Sequence, residues 1–394
     1  MHRVKLLSCG NFVLSPKIST NDLSSENYIT TDNMLPDKAG ITKTDNIPFD
    51  INVTKFLKND ILLSNIRPYF KKIWLAEYTG GCSADVLVFR TNDKYDPKYI
   101  KYCLSQDIFF AYDMAGSKGS KMPRGDKNHI LNFELLDYDL KTQQIIGNLL
   151  LSIDKKIELN NKINSELENI AKTLYDYWFV QFDFPAENGR PYKSSGGKMV
   201  YNPILKRDIP INWGIISLEN IIKLFDKQRI PLSNNERMNM QGCYPYYGAT
   251  GIMDYINKFI FDGEYILLAE DGSTSDCNGK SVVQYIWGKT WVNNHAHVIK
   301  PLNMNQINYL YFLLSDIPVI KIETGSIQKK ITQDNLLAYN VLRPKENIIE
   351  LFCERINPIK QTKIKIFEEN KMLTQLRDFL LPMLMNGQIK ITTE

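Results

Sequence analysis

The stretch AEDGSTSDCNGKS, Ala269 to Ser281, ends in the Gly279-Lys280-Ser281 of a phosphate-binding loop and carries another glycine, Gly272, upstream. A phosphate loop needs four residues between its glycines, so that successive backbone N–H groups close round the anion. Six residues separate Gly272 from Gly279, and Thr274 stands where the first glycine would be needed. The segment after Lys280, SVVQYIWG, reads as a strand, whereas a phosphate loop opens a helix whose N-terminus faces the ligand. Asn278-Gly279 between two strand-like runs is a hairpin signal. The stretch therefore reads as a turn, and its alternative is an NTP-binding enzyme built on Gly279-Lys280-Ser281.

A second constellation is NNHAH, Asn293 to His297, which holds half of the chain's 4 histidines. On a strand, His295 and His297 would share a face, as two metal ligands must. No Cys, Asp or Glu follows at a spacing that supplies a third ligand, so no metal is expected. Asn and His can instead hydrogen-bond the edge of a base. The adenine methyltransferase signature Asn/Asp-Pro-Pro-Phe/Tyr is missing, since Asn202-Pro203-Ile204 and Asn357-Pro358-Ile359 do not fit it. Gly-x-Ser-x-Gly, His-Glu-x-x-His and Gly-x-Gly-x-x-Gly are also missing. No residue is assigned a catalytic role.

What the chain does offer is basic residues interleaved with aromatics and glycines. SNIRPYFKKIW (Ser64 to Trp74) and GSKGSKMPRGDK (Gly116 to Lys127) lie in the first half. YPYYGATG (Tyr244 to Gly251) and GSIQKK (Gly325 to Lys330) lie in the second. Lys and Arg neutralise phosphates, glycine lets a backbone approach a duplex, and Tyr stacks or hydrogen-bonds. Loop position and charge mark Arg67, Lys71, Lys72, Lys118, Lys121, Arg124 and Lys127 as candidate nucleic-acid contacts in one half of the chain, the alternative being solvated basic loops. Tyr246, Tyr247, Asn293, Asn294, His295, Lys329 and Lys330 are marked for the other half.

Two copies of one module must position these loops. Asp60-Ile-Leu-Leu63 recurs as Tyr265-Ile-Leu-Leu268, and Tyr99 to Ser105 recurs as Tyr309 to Ser315. Gly119-Ser120 with its basic followers recurs as Gly325-Ser326, and the three offsets are nearly equal. Strands are expected at Phe56 to Ser64, Asp85 to Arg90, Glu264 to Ala269, Ser281 to Trp287 and Ala296 to Ile299. Each module then closes on a long helix. From about Thr142 to Val180, Ile146, Leu150, Ile153, Ile157, Asn160, Asn164, Leu167, Ala171, Leu174 and Trp178 alternate spacings of four and three, which is a coiled-coil seam. Asn160 and Asn164 inside it trade stability for a fixed register. From about Asn347 to Met385, Ile349, Phe352, Ile356, Ile359, Ile366, Leu373 and Leu380 form a second stripe, in which Pro358 is expected to kink the helix or delay its start.

The totals agree with this plan. A chain of 394 residues exceeds one ordinary core. A net charge of +4 permits a nucleic-acid partner without demanding one. No apolar run approaches the ~20 residues that span a bilayer, and MHRVKLLSCGNFVLSPK is too polar for a signal peptide. Six scattered cysteines with no Cys-x-x-Cys pair suggest a reducing cytoplasm.

The whole chain resembles the specificity (S) subunits of Type I restriction-modification systems. The resemblance rests on QRIPLSNNERMNMQGCYPYYGATGIMDYI…FIFDGEYILLAEDGS…GKTWVNNHAHVIKP in the second module. In the first it rests on ENYITTDNMLPDK…NDILLSNIRPYFKKIWLAEYTGGCSADVLVFR…MAGSKGSKMPRGDK, and in the spacer on IDKKIELNNKINSELENIAKTLYDYWFVQFDF. It implies an α+β fold in which two globular α/β target recognition domains are separated by two helices forming an antiparallel coiled coil, with an internal pseudo-two-fold duplication. The expected division is 1–140 recognition domain 1, 141–185 central spacer helix, 186–208 linker, 209–345 recognition domain 2, and 346–394 distal spacer helix and tail. It further implies reading of a bipartite double-stranded DNA target by a subunit that is itself non-catalytic. Two modification subunits would methylate adenine N6 with S-adenosylmethionine, and restriction subunits would use ATP and Mg, so this chain is expected to hold no cofactor. Ile146, Leu150, Ile153, Ile157, Asn160, Asn164, Leu167, Leu174, Trp178, Ile356, Ile366, Leu373 and Leu380 are the expected coiled-coil and partner-subunit positions. The alternative of a different class is a coiled-coil scaffold that never touches DNA.

Overall fold

The computed structural model describes residues 2–325 and 329–389. Ser326, Ile327 and Gln328 of the second basic loop, and residues 390–394 of the expected tail, lie outside them. The chain forms two compact units, Met1–Lys162 with Phe367–Glu394, and Ile163–Ile366.

In the first unit, one four-stranded sheet runs in the order Gly10–Phe12, Val86–Thr91, Ile61–Ser64, Ile73–Leu75. A second runs Lys17–Ser19, Asn52–Phe56, Gly80–Cys82, Tyr28–Ile29, and Arg3–Lys5 pairs antiparallel with Glu134–Leu136. Ile61–Ser64 is buried at every position because it has a strand on each side and a helix layer over it. Phe56 to Ser64, expected as one strand, is two. Asn59 is left-handed (φ 72°), and the Asp60 carboxylate accepts the Leu57 amide at 2.7 Å, closing a turn between them. Arg90 then fastens that carboxylate with two bonds of 2.7 and 2.6 Å.

The second unit is also built on mixed strands and short helices. Its four-stranded sheet runs Ile222–Leu224, Ala296–Pro301, Tyr265–Ala269, Val283–Ile286. A three-stranded sheet runs Ile252–Ile256, Gln241–Tyr247, Trp291–Val292, and Gly214–Ser217 pairs with Asn340–Arg343. The segment expected as a linker carries a hairpin, Met199–Asn202 with Arg207–Pro210. It is preceded by Phe184, which stacks on Trp213 and Tyr192.

The long helices are Leu140–Tyr175, extended by a π turn at Asp176–Val180, and Glu346–Met385. Asp139 starts the first by accepting the Thr142 amide at 3.0 Å. Gly147 then lets it lie against Asp96 to Tyr99, where an added Cβ would sit 2.9 Å from the Tyr99 nitrogen. Inside the first unit the two helices run antiparallel. Asn160 Nδ2 donates to Glu369 and Asn370, both at 2.8 Å, while Asp154 accepts from Arg377 at 3.0 Å. Ile146, Leu150, Ile153 and Asn160 are buried there, with Ile157, Leu373 and Leu380 half-buried. Inside the second unit Glu168 pairs with Lys363, and Ala171, Trp178, Ile349, Phe352 and Ile356 join one core. Ile366 is buried, and Asn164, Leu167, Leu174 and Ile359 are half-buried. Pro358 neither delays nor ends its helix, which begins at Glu346 and continues past it. The missing proline N–H costs one backbone bond, and side-chain bonds flank it: Thr362 Oγ1 donates to Pro358 O at 2.9 Å and Asn308 to Asn357 Oδ1 at 2.8 Å.

All six cysteines are free, and only Cys243 and Cys277 are exposed. Among the described residues no helix is long and apolar enough to cross a membrane.

Candidate functional site

Gly279-Lys280-Ser281 is a turn. Gly279 is left-handed (φ 73°), and Asp276 Oδ1 accepts the amides of Asn278 and Lys280, each at 2.8 Å. The N–H groups that a phosphate would need are thus already bonded to an aspartate. Lys280 is ion-paired with Asp316, and the strand Val283–Ile286 follows.

In the first unit, the loops marked by their basic residues meet. The Arg67 amide donates to Pro123 O at 2.8 Å, and Gly125 donates to Asn65 O at 3.1 Å. Lys71 is paired with Asp107 (2.9 Å), and Lys72 donates to Thr31 O (2.6 Å), so both brace the loop. Lys118 pairs with Asp126 (2.8 Å) and Arg124 with Asp85 (3.1 Å), each leaving its side chain largely in solvent. Lys121 and Lys127 are exposed and make no ion pair among the described residues. Exposed pairs of this kind contribute little to stability and exchange readily for a phosphate.

Beneath this surface lies Asp113, 1% exposed, with neither carboxylate oxygen hydrogen-bonded. Burial pushes its carboxyl up to about 6, against a smaller opposing pull from His129. A carboxyl raised above its unfolded value stabilises the fold at low pH and loses that contribution as pH rises through the folded value. Asp113→Asn is therefore expected to be more stable than wild type at pH 8 by about 1–3 kcal/mol. The advantage should shrink between pH 6 and the ordinary carboxylate range. Urea unfolding at pH 5 and pH 8 checks this, and equal stability at both pH values would refute it.

In the second unit, the expected contacts separate. Tyr246 and Tyr247 are 1% and 8% exposed and belong to the core, where no duplex reaches them. Tyr246 instead accepts the Leu232 amide at 3.0 Å. Asn293 is 3% exposed and shapes the turn by accepting the His295 amide at 2.8 Å. Asn294 and His295 are exposed, and His295 Nδ1 lies 2.6 Å from Asp271 Oδ1. The Asp271 backbone pairs with that of Lys330, whose ammonium is paired with Glu270 at 2.7 Å; Lys329 is paired with Glu323 at 2.7 Å.

His295 precedes the strand Ala296–Pro301 rather than lying on it, so the two histidines diverge. His297 is buried, with Nδ1 2.6 Å from Asp226 and Nε2 2.8 Å from Ile331 O. Asp226, Glu270 and His297 bring ligand-type atoms within 4.8 Å of one another. The third ligand that the local spacing lacks thus arrives from distant segments. Yet each of these oxygens already has a donor. Arg229 (2.6 Å) and Lys330 (2.7 Å) hold Glu270, while Gln333 (2.6 Å) and the Val298 amide (2.8 Å) hold Asp226. A metal would have to displace two cations, so the cluster is an ion-pair network at the base of the second basic loop. Burial pushes both carboxyls up, and their partners outweigh it: His297, Val298 and Arg229 for Asp226, Lys330, Arg229 and His297 for Glu270. Both therefore sit below their ordinary values. Sequence reasoning missed Asp226, Arg229, Glu270 and Gln333, which have no shared local pattern.

A family model described as Type I restriction modification DNA specificity domain matches residues 210–369. The chain is 34% identical over 119 residues to S.HindORF215P of Haemophilus influenzae, by name a type I restriction enzyme specificity subunit. That match covers 30% of each protein. It is 24% identical to the Type I restriction enzyme MjaIX specificity subunit of Methanocaldococcus jannaschii, over 75% of this chain and 69% of that one. Its fold is similar to that of the S subunit of a Type I restriction-modification system from M. genitalium, with a TM-score of 0.59 at 15% identity, covering 99% and 96% of the two chains.

Proposed function

We propose that the chain is a Type I restriction-modification specificity subunit, like the relatives it resembles, and that it reads a split DNA target, each unit taking one half. The observation that carries this reading is that each unit holds an end-strand pair, a four-stranded sheet in matching order and part of both long helices. A duplicated reader suits a target with two halves, and the long helices, paired as an antiparallel coiled coil, suit a fixed spacing between them. Lys118, Lys121, Arg124 and Lys127 serve one half-site; Asn294, His295, Lys329 and Lys330 serve the other. Exposed cations contribute phosphate contacts, and Asn294 and His295 have the donor and acceptor groups that base edges require.

The chain itself carries out no chemistry in this reading. Two modification subunits supply S-adenosylmethionine-dependent methylation of adenine N6, and restriction subunits supply ATP-driven translocation and cleavage. Methylome sequencing with and without the gene tests the proposal: one split adenine motif should lose its methylation, and an unchanged methylome would sink it. Lys121→Ala should weaken binding on every sequence and reduce the slope of log affinity against log salt by about 1. A titration with unchanged slope would remove Lys121 from the interface.

A further inference from the structure

The tip of the Ser64 to Trp74 loop combines two features: strained backbone and exposed aromatic rings. Arg67 (φ 51°) and Lys71 (φ 52°) are both left-handed, and between them Pro68–Phe70 makes a single tight turn. Such conformations are costly for residues with a Cβ and persist where the surrounding structure fixes them. Here the fold fixes them from a second segment. The Asp37 amide donates to Phe70 O at 2.9 Å, and the Lys38 amide to Lys71 O at 3.0 Å. Lys71 and Lys38 both grip Asp107.

The rigid turn holds two rings in solvent, Tyr69 at 47% and Phe70 at 37% exposure, with centroids 4.7 Å apart. Paired aromatics usually bury their area, so bracing a turn to display them calls for a partner. Their surroundings say which kind. The Arg67–Pro123 backbone bond joins this turn to the loop carrying Lys121, Met122 and Arg124, of which Met122 is 46% exposed. An apolar tip beside exposed cations complements a surface that is anionic at its edges and apolar at one point. The DNA major groove is such a surface, and its apolar point is the thymine 5-methyl group.

We propose that Tyr69 and Phe70 form a base-reading subsite of the first unit whose ligand is the 5-methyl group of a thymine in the major groove. This rests on the DNA-reading function proposed above. The contact needs no polar atom, so Tyr69→Phe keeps it, while Tyr69→Ala and Phe70→Ala open it.

The test uses the full chain with its co-purifying partners and a duplex selected from a randomised pool. Deoxyuridine then replaces each thymine of the selected site in turn, which removes only the methyl group. Wild type and Tyr69→Phe should lose about three- to tenfold in affinity at one position of one half-site. Tyr69→Ala and Phe70→Ala should bind the thymine and deoxyuridine duplexes alike at that position. A selected site at which no thymine matters, or a penalty that persists in both alanine variants, overturns the subsite while leaving DNA recognition standing. If no sequence is selected at all, the DNA reading fails, and this subsite with it. Because wild type is compared on two duplexes, a folding defect in a variant cannot mimic the first result.

Discussion

Arg229→Met is expected to lower the unfolding free energy by about 3–5 kcal/mol, because it removes one partner of a buried charge network. Arg229 Nη1 donates to Glu270 at 2.6 Å and to Ala296 O at 2.7 Å, and its guanidinium lies 3.5 Å from Asp226. Methionine fills similar space but leaves the Glu270 and Asp226 carboxylates, 9% and 3% exposed as side chains, with fewer donors. Both carboxyls are held below their ordinary values, so their stabilising contribution is present at neutral pH and fades as pH falls through those depressed values. The variant should therefore also unfold in acid at a higher pH than wild type. Urea unfolding at pH 7 combined with an acid titration reads both effects. A loss under about 1 kcal/mol, the range of exposed pairs, would show that Arg229 is not a structural member of a buried network.

Phe352→Ala is expected to cost a similar amount, about 3–5 kcal/mol, by a different route. Phe352 is fully buried, with Phe179 at 5.1 Å, Trp178 at 5.9 Å, Phe312 at 6.0 Å and Tyr175 at 6.1 Å between ring centroids. Large rings cannot close in fully on a missing neighbour, so the cavity cost adds to the lost burial. The damage should stay local. Hydrogen exchange should quicken in Tyr265–Ala269 and Ile307–Ser315, which share that core, before it quickens in Ile61–Ser64. Equal acceleration in both sheets would mean that the two units do not open separately.

Much of the architecture was legible because it depends on periodicity. Ile146, Leu150 and Ile153 follow the helical spacing, and all three are buried. Tyr265 to Leu268 and Ile61 to Leu63 resemble each other because each lies on an inner strand of a four-stranded sheet. Pro358 does not delay the start of its helix, since a proline inside a helix well held by packing costs one backbone bond rather than the helix. The candidate site was legible only in part. A basic loop is recognisable by composition, but exposure is not, and so Tyr246 and Tyr247 read like Tyr69 although they are buried.

By itself the sequence determined what local rules govern: the two long helices, the turn at Gly279, and the lack of a phosphate loop. Helical stripes and turn residues act over a few neighbouring positions, so one strand of letters suffices to read them. Only the tertiary structure decided which charges are spent inside the protein and which face solvent. Asp226, Arg229, Glu270 and His297 come from three distant segments, and their attraction exists only once the chain brings them within a few ångströms. The same folding left Lys121 and Lys127 exposed and turned Lys71 and Lys72 inward as braces. Coulomb and hydrogen-bond energies fall off over such short distances, which is why the sequence could name the basic residues but not assign their partners.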